Sequence, residues 1–427
     1  MASKQKITIV NMGCKVNQYE CDTIAGILSS SGFSVDFGLT PADIYVVNTC
    51  AVTNEGERKS RNVLTKLTKL NPNAKIYVAG CASENNRSHF ENNPNVKYVI
   101  GTENKNRIAQ KICQDCGVKM KISDIHISNR TRGVLKCQDG CNNFCTYCLI
   151  PYLRGRETSR PLAELYAELV QMQKSGVHEV VLTGINLSGY GSDFGDGTSL
   201  VDVAKLFTKL HDEKGDGIIR YRFSSLEVGI ITKEFLEYLS KDKFFCPHFH
   251  LSMQSGSDKT LKAMNRHYTK EEYLQKIELI RKYFPLAAIT TDVIVGFPTE
   301  TAEDFEETFE TCKKANFFEM HVFPYSKREG TVAAKMKTVA TEVKDRVWKL
   351  KNLSADNHDN FIEQNIKAGG LHKIIVETTD GEYYTAHTDN YIKCYIKKEE
   401  KNNLENNQIV QIKLIKQFMD GAIATVL

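Results

Sequence analysis

Three cysteines crowd one short stretch, Cys141-Asn-Asn-Phe-Cys145-Thr-Tyr-Cys148, with Cys-x₃-Cys-x₂-Cys spacing. Thiolates this close can each hold a different iron of a cubane cluster and leave the fourth iron open. A zinc site would want a fourth protein ligand, and the nearest other thiol, Cys137, belongs to the strand before the loop. A second set, Cys14, Cys50 and Cys81, has no metal-site spacing but shares a position. Each follows a run that reads as a parallel strand: ITIVNMG, IYVVNT and KIYVAG. In open α/β sheets ligands bind beyond the carboxyl ends of the strands, so neighbouring strand ends would gather these thiols for a second cubane. Cysteine is also common in buried strands, and three packed thiols are the alternative for this set.

The chain holds 13 cysteines, and an odd total argues against complete disulfide pairing. Cys113-Gln-Asp-Cys116 is a lone Cys-x₂-Cys without a partner pair, and Cys21, Cys246, Cys312 and Cys394 read as packed thiols.

The elements that position the two sets follow from hydrophobic periodicity. Over the first hundred residues, strands at 7–12, 44–48, 75–79 and 97–100 alternate with helices near 17–30 and 56–70. This βαβ order requires a parallel sheet with right-handed crossovers. From Gly133 six strands (133–136, 179–183, 220–224, 248–252, 289–295, 321–323) alternate with helices near 162–175, 200–211, 232–240, 270–283 and 303–315. That pattern predicts a partial (β/α)₆ barrel with its active site at the carboxyl ends of the strands. After a charged helix around 341–366, five short strands (373–378, 383–388, 391–396, 408–415, 422–426) predict a small antiparallel β-barrel. The segment from about Gly101 to Arg132 reads as a weak helix plus a linker, and the predicted organisation is therefore α/β: an N-terminal sheet domain (1–103), a basic linker (104–132), a barrel domain (133–365) and a small β-barrel (366–427).

Composition bounds the partners. At 427 residues, 41% hydrophobic and 25% charged, the chain reads as a soluble protein of two or three domains. No apolar run reaches the roughly 18 residues of a membrane helix. Met1–Lys6 runs directly into Ile7-Thr8-Ile9-Val10 with no separate apolar stretch or cleavage site, so a cytoplasmic protein is expected. Net charge is only +4, yet residues 104–136 carry eight Lys/Arg against Asp115 and Asp124, or +6. Such a zone attracts a polyanion or is simply a solvated linker. Arg154, Arg156 and Arg160 follow, suited to a cofactor carboxylate, to RNA phosphates or to ordinary salt bridges.

The 141–148 loop resembles the signature of radical S-adenosylmethionine enzymes, in which the methionyl amine and carboxylate chelate the open iron. Together with the second set, the chain resembles the methylthiotransferase family almost throughout. The resemblance rests on Gly13-Cys14-Lys15-Val16-Asn17, Asn48-Thr49-Cys50-Ala51-Val52-Thr53, Ala79-Gly80-Cys81, CNNFCTYCLIPYLRGRETSR, His250-Leu251-Ser252-Met253-Gln254-Ser255-Gly256-Ser257, Thr291-Asp292-Val293-Ile294-Val295-Gly296-Phe297-Pro298 and His321-Val322-Phe323-Pro324-Tyr325-Ser326. The last five strands resemble that family's small RNA-binding, TRAM-like barrel. The Gly-Cys-Lys-Val-Asn opening is similar to the branch acting on N6-threonylcarbamoyladenosine at position 37 of tRNA.

The resemblance implies two 4Fe-4S clusters, S-adenosylmethionine and insertion of a methylthio group at C2 of the purine in a tRNA anticodon loop, by a monomer. It also implies a 5′-deoxyadenosyl radical, since an aromatic C–H is beyond ordinary acid–base chemistry. Tyr147 matches the position lying against adenine, and Thr183 and Gly184 the region contacting the methionyl group. Ser225 and Glu227 close the third barrel strand and Gln254 the fourth, while Asp292, Val322, Phe323 and Tyr325 lie on the fifth and sixth; packing of barrel-end loops is the alternative for each. The family admits two further substrates, isopentenyladenosine in tRNA and a ribosomal-protein aspartate. An iron–sulfur RNA-binding protein without turnover is a different class of reading.

Overall fold

The computed structural model describes residues 5–121, 131–399 and 403–427. The first domain is a five-stranded parallel sheet of β1 (Lys6–Asn11), β2 (Ser34–Phe37), β3 (Ile44–Thr49), β4 (Lys75–Gly80) and β5 (Val96–Val99), in the order β2-β1-β3-β4-β5. β3 is buried at every position, as a central strand covered by helices on both faces must be. The sequence pattern omits β2, a four-residue edge strand whose side chains alternate between exposed and half-buried.

The basic segment after Gly101, expected as a weak helix plus a linker, holds a helix at Asn106–Asp115. Its Ile108, Ala109, Ile112 and Cys113 are buried in the core of the first sheet. Lys105, just before it, is 5% exposed and pairs with Glu20. Part of the local positive charge is therefore internal. The expected surface segment at 122–130 lies outside the described residues.

Six parallel strands follow in chain order around a partial barrel: β6 (Arg132–Lys136), β7 (Glu179–Thr183), β8 (Arg220–Phe223), β9 (His248–Leu251), β10 (Ala288–Val295) and β11 (Glu319–Pro324). The order β8-β7-β6 forms one sheet. β9, β10 and β11 form another, with a two-residue strand at Ser225–Leu226 on its edge, and a Tyr221–Phe245 bridge joins the two. The outer helices start on side-chain caps. Ser199 with Asp202, Thr269 with Glu272 and Thr301 with Asp304 each make a reciprocal capping box, satisfying amides that have no partner within the helix.

A 25-residue helix, Val343–Lys367, leads to β12 (Leu371–Asp380), β13 (Tyr383–His387), β14 (Lys393–Lys397), β15 (Ile409–Phe418) and β16 (Gly421–Val426). These close a barrel in the order β12-β13-β14-β16-β15. One seam differs from the expected all-antiparallel arrangement: β14 and β16 pair in parallel through Cys394–Ala422 and Tyr395–Ile423. An odd number of strands cannot close with every neighbour antiparallel, so one parallel seam is unavoidable.

This small barrel docks beneath the six-stranded one through buried charge. Glu179, fully buried, takes Arg132 at 2.8 Å, Arg220 at 2.7 Å and Arg222 at 2.5 Å. Arg132 also pairs with Glu377 of β12. Arg220 donates to the carbonyls of Lys373 and His387, and Arg222 to that of Asp389. Burial alone would raise the Glu179 carboxyl, but the three guanidinium charges hold it far below its usual value. Removing one member of such a cluster strands the others' charge. Glu179→Gln is expected to destabilise the protein by about 3–5 kcal/mol and to expose residues 366–427 to limited proteolysis. Urea unfolding and a protease time course check this; an unchanged midpoint and digestion pattern would contradict it.

Candidate active site

The three central strands of the first sheet, β1, β3 and β4, are adjacent, and each delivers one cysteine at its carboxyl end. Cys14 caps the helix Lys15–Ser30, Cys50 follows Thr49, and Cys81 opens the short helix Cys81–Asn85. The strand order reverses between β1 and β3, where open α/β sheets form their binding crevice. Gly80 makes the approach feasible. Its φ is +115°, and a Cβ there would stand 2.5 Å from the Thr49 carbonyl oxygen. The thiols sense one another: burial first, then the neighbouring Cys14 and Cys81, pushes the Cys50 thiol up to about 11.

The second triad lies beyond β6. Gly140, with φ of +70° and no room for a Cβ against the Arg156 carbonyl, turns the chain into the 141–148 loop. Asn265 donates to the carbonyls of Asn143 and Phe144, and Thr146 to that of Ala263, fixing the loop against the segment after the helix Asp258–Ala263. Each thiol accepts a hydrogen bond: Cys141 from the Asn143 amide at 3.5 Å, Cys148 from the Ile150 amide at 3.4 Å and Cys145 from Arg266 Nη1 at 3.4 Å. Burial raises the Cys141 thiol to about 11 and the Cys148 thiol to about 12.

All 13 cysteines are free thiols. Among the described residues, no three His, Cys, Asp or Glu side chains converge as ligands of a single metal ion would. Thiolates on separate irons of a cubane stand further apart than ligands of one ion, and hydrogen bonds to sulfur are part of how proteins tune such clusters. The donor set of each triad fits a cluster better than zinc.

Arg154 joins the two triads. It ends the helix Ile150–Arg154 that leaves the second loop, and its side chain is 1% exposed. Its Nε donates to Cys81 Sγ at 3.3 Å and its Nη2 to Asn17 at 2.8 Å. Its Nη1 reaches both Glu20 and Asp139 at 3.1 Å. Thus one side chain of the barrel domain touches β4's cysteine, the helix after Cys14 and the loop leading to Cys141.

Comparison with known proteins fits this architecture. Residues 135–312 match the Radical SAM superfamily, and residues 6–101 match the uncharacterized protein family UPF0004. The chain is 38% identical over 426 residues to the threonylcarbamoyladenosine tRNA methylthiotransferase MtaB of Bacillus subtilis, covering 95% of this chain and 92% of that one. The chain belongs to the radical S-adenosylmethionine tRNA methylthiotransferases. The Aquifex aeolicus protein of the same name is 36% identical, with 92% of this chain and 97% of that one covered. A tRNA-2-methylthio-N(6)-dimethylallyladenosine synthase of Carboxydothermus hydrogenoformans is also 36% identical, with 86% and 87% covered. The radical S-adenosylmethionine methyltransferase TsrM of Kitasatospora setae, solved with cobalamin and a 4Fe-4S cluster, shares the fold. Its TM-score is 0.54 at 13% identity, with 87% of this chain and 80% of that chain covered. Membership of the radical family brings a 4Fe-4S cluster and S-adenosylmethionine as cofactors, and no described helix is long and apolar enough to cross a membrane.

The other sequence-derived site residues of this methylthiotransferase do not share one setting. Glu227 lines a cavity of about 380 Å³ beside the 141–148 loop, where it pairs with Arg266. Ser225 and Asp292 line a second cavity, of about 360 Å³, inside the six-stranded barrel. Tyr147 and Tyr325 pack together with Phe297 and Met264. Thr183 is buried at the end of β7, and Gly184 lies against Gln138, leaving no room for a Cβ. Gln254 is held in the left-handed region, φ +65°, by backbone bonds to Asp292 and Ile294. Val322 is buried, whereas Phe323 is 45% exposed.

Of the three arginines, Arg160 is bound to Glu168 at 2.7 Å, and Arg156 covers the Phe144 ring at 4.4 Å. Cys21, Cys113, Cys246, Cys312 and Cys394 are all buried. Arg266 escaped the sequence reading, because its partners lie 121 and 39 residues away at Cys145 and Glu227. No local spacing marks such a residue.

Asp139 gives the inter-domain network a pH signature. Burial alone would raise its carboxyl, but Arg154 and Lys136 lower it to about 2. A depressed folded-state value stabilises above the unfolded value near 3.9, and that stability fades as pH falls towards 2. Asp139→Asn is expected to cost about 2 kcal/mol at pH 7, with the gap to wild type closing between about pH 4 and pH 2. Urea titrations across that range test it; a gap independent of pH would contradict it.

Proposed function

We propose that this enzyme adds a methylthio group to C2 of N6-threonylcarbamoyladenosine at position 37 of tRNA, using two 4Fe-4S clusters. The observation that carries the two-cluster part is the meeting of Cys14, Cys50 and Cys81 at three adjacent strand ends, with Arg154 reaching from the 141–148 side to Cys81. The relatives named for threonylcarbamoyladenosine support the substrate, as does the Gly-Cys-Lys-Val-Asn run at residues 13–17.

When bound at Cys141, Cys145 and Cys148, a cluster with S-adenosylmethionine supplies the hydrogen-abstracting radical that an unactivated aromatic C–H demands. The chain's own residues hold and shield. Arg266 donates to Cys145 and fixes Glu227, which faces the cofactor cavity. Tyr147 and Tyr325 form an apolar wall with Phe297, and Thr183, Gly184, Ser225, Gln254, Asp292, Val322 and Phe323 complete the cofactor and substrate surround at the strand ends. Cys14, Cys50 and Cys81 hold the cluster that presents sulfur. Shielding the site between the triads from water would keep a radical from quenching and align the base. The C-terminal barrel takes part in holding the anticodon loop, and the enzyme works as a cytoplasmic monomer.

Nucleoside mass spectrometry of bulk tRNA from a deletion strain is expected to show loss of the methylthiolated nucleoside and accumulation of N6-threonylcarbamoyladenosine. An unchanged profile would move the activity to another substrate. With dithionite and S-adenosylmethionine under anaerobic conditions, Cys50→Ala is expected to form 5′-deoxyadenosine as wild type does while methylthiolation falls to background. Joint loss of both would mean that the triads do not divide the work.

A further inference from the structure

The barrel lumen holds a cavity of about 360 Å³ lined by residues of all three domains, from Lys15 beside Cys14 to Tyr391 of the C-terminal barrel. Its size is that of a small-ligand pocket, and polar and charged side chains stand among its lining residues. Cations stand on the β6–β8 side as Arg132 and Arg222, and acids on the β10–β11 side as Asp292 and Glu319. The acids face histidines: His250 lies 3.3 Å from Asp292, and His321 3.9 Å from Glu319.

Three lining side chains carry a buried polar atom with no hydrogen-bond partner among the described residues: Arg222 Nη2, Ser224 Oγ and His248 Nδ1. Arg222 is 3% exposed and His248 8%. Both are held firmly. Glu179 and the Asp389 carbonyl fix the other nitrogens of Arg222, and Thr290 sits 3.2 Å from His248 Nε2. Tyr391 closes the floor, stacked on His248 at 4.8 Å and lying 4.9 Å from the Arg222 guanidinium. Burial and the Arg222 charge keep His248 neutral.

Buried polar atoms are nearly always partnered, and each one left without a partner is costly. One guanidinium nitrogen, a hydroxyl and an imidazole nitrogen on side chains of one cavity suit a carboxylate, which accepts charge-assisted hydrogen bonds. An apolar tail would leave all three unpaired.

We infer that this lumen is a substrate-specificity pocket in which Arg222, assisted by Ser224 and His248, binds the carboxylate of the threonylcarbamoyl group. The assignment rests on the substrate proposed above and explains how the enzyme would reject an isopentenyl group, since a site built for hydrogen bonds discriminates strongly against an analogue lacking them. Asp292 and Glu319, on the opposite wall, accept from the threonyl hydroxyl and ureido N–H groups.

Three synthetic anticodon stem-loops test the pocket, differing only in the nucleoside at position 37: N6-threonylcarbamoyladenosine, its carboxyl methyl ester, and adenosine. Their affinities for the full-length, anaerobically reconstituted enzyme are read by fluorescence anisotropy. The free acid is expected to bind about 10-fold or more tighter than the ester, the difference expected for one lost charge-assisted contact. Arg222→Gln is expected to bind acid and ester alike. Should that variant unfold, Ser224→Ala, which disturbs no ion pair, is expected to narrow the difference. Equal binding of acid and ester by wild type would overturn the inference, as would a retained difference in Arg222→Gln or equal affinity for the adenosine loop, which would place the anion in the RNA backbone. Methylthiolation of acid and ester loops alike would remove this pocket and leave the proposed reaction standing. Methylthiolation of an isopentenyladenosine loop alone would remove the reaction itself.

Discussion

A guanidinium buried between two domains sets the geometry of this enzyme. Arg154 cannot leave its place without abandoning Glu20, Asp139, Asn17 and the sulfur of Cys81 together. It stands six residues after Cys148, so the loop that carries one triad is mechanically tied to the strand that carries the other. Surface ion pairs are worth little, but a buried cation with several charged and polar partners is costly to break. Supporting contacts surround it: Thr102 donates to the Leu153 carbonyl, Arg328 pairs with Glu57, and Arg160 with Glu168 lies beside Tyr19. The two triads are thereby given one relative position.

The two domains supply their triads by the same rule on different scales. An open parallel sheet and a partial barrel both present loops at the carboxyl ends of their strands. In the first, one cysteine comes from each of three strands; in the second, three come from a single loop. Below the chamber, Glu179 and its three arginines seat the C-terminal barrel so that Tyr391 forms the floor. All three domains therefore border the lumen.

Much of this was legible in the sequence because short-range pattern encodes it. The Cys-x₃-Cys-x₂-Cys spacing identifies the 141–148 loop without a structure, and Glu179–Thr183 and Lys270–Tyr283 fall where periodicity puts them. Shared positions after strands point to Cys14, Cys50 and Cys81, although spacing could not say that their strands are neighbours. Hidden features are those made by distance. Arg266 meets Cys145 across 121 residues, and the charge cluster of Glu179 draws on residues from three strands and a second domain. Composition does not show depth: the basic run after Asn104 includes Lys105, which is internal, and its helix packs into the first core. The parallel seam between β14 and β16 follows from closing five strands, a property of the whole barrel that no single segment displays.

The two separate triads are proposed to hold one cubane each in one fixed arrangement. Iron and sulfide content with EPR spectra, taken on reconstituted wild type and on a variant with Cys14, Cys50 and Cys81 all changed to alanine, tests it most directly. About eight irons per chain are expected in wild type and about four in the variant, with the S-adenosylmethionine-induced change of the reduced spectrum retained. Undiminished iron in the variant, or disappearance of that spectral change, would contradict it.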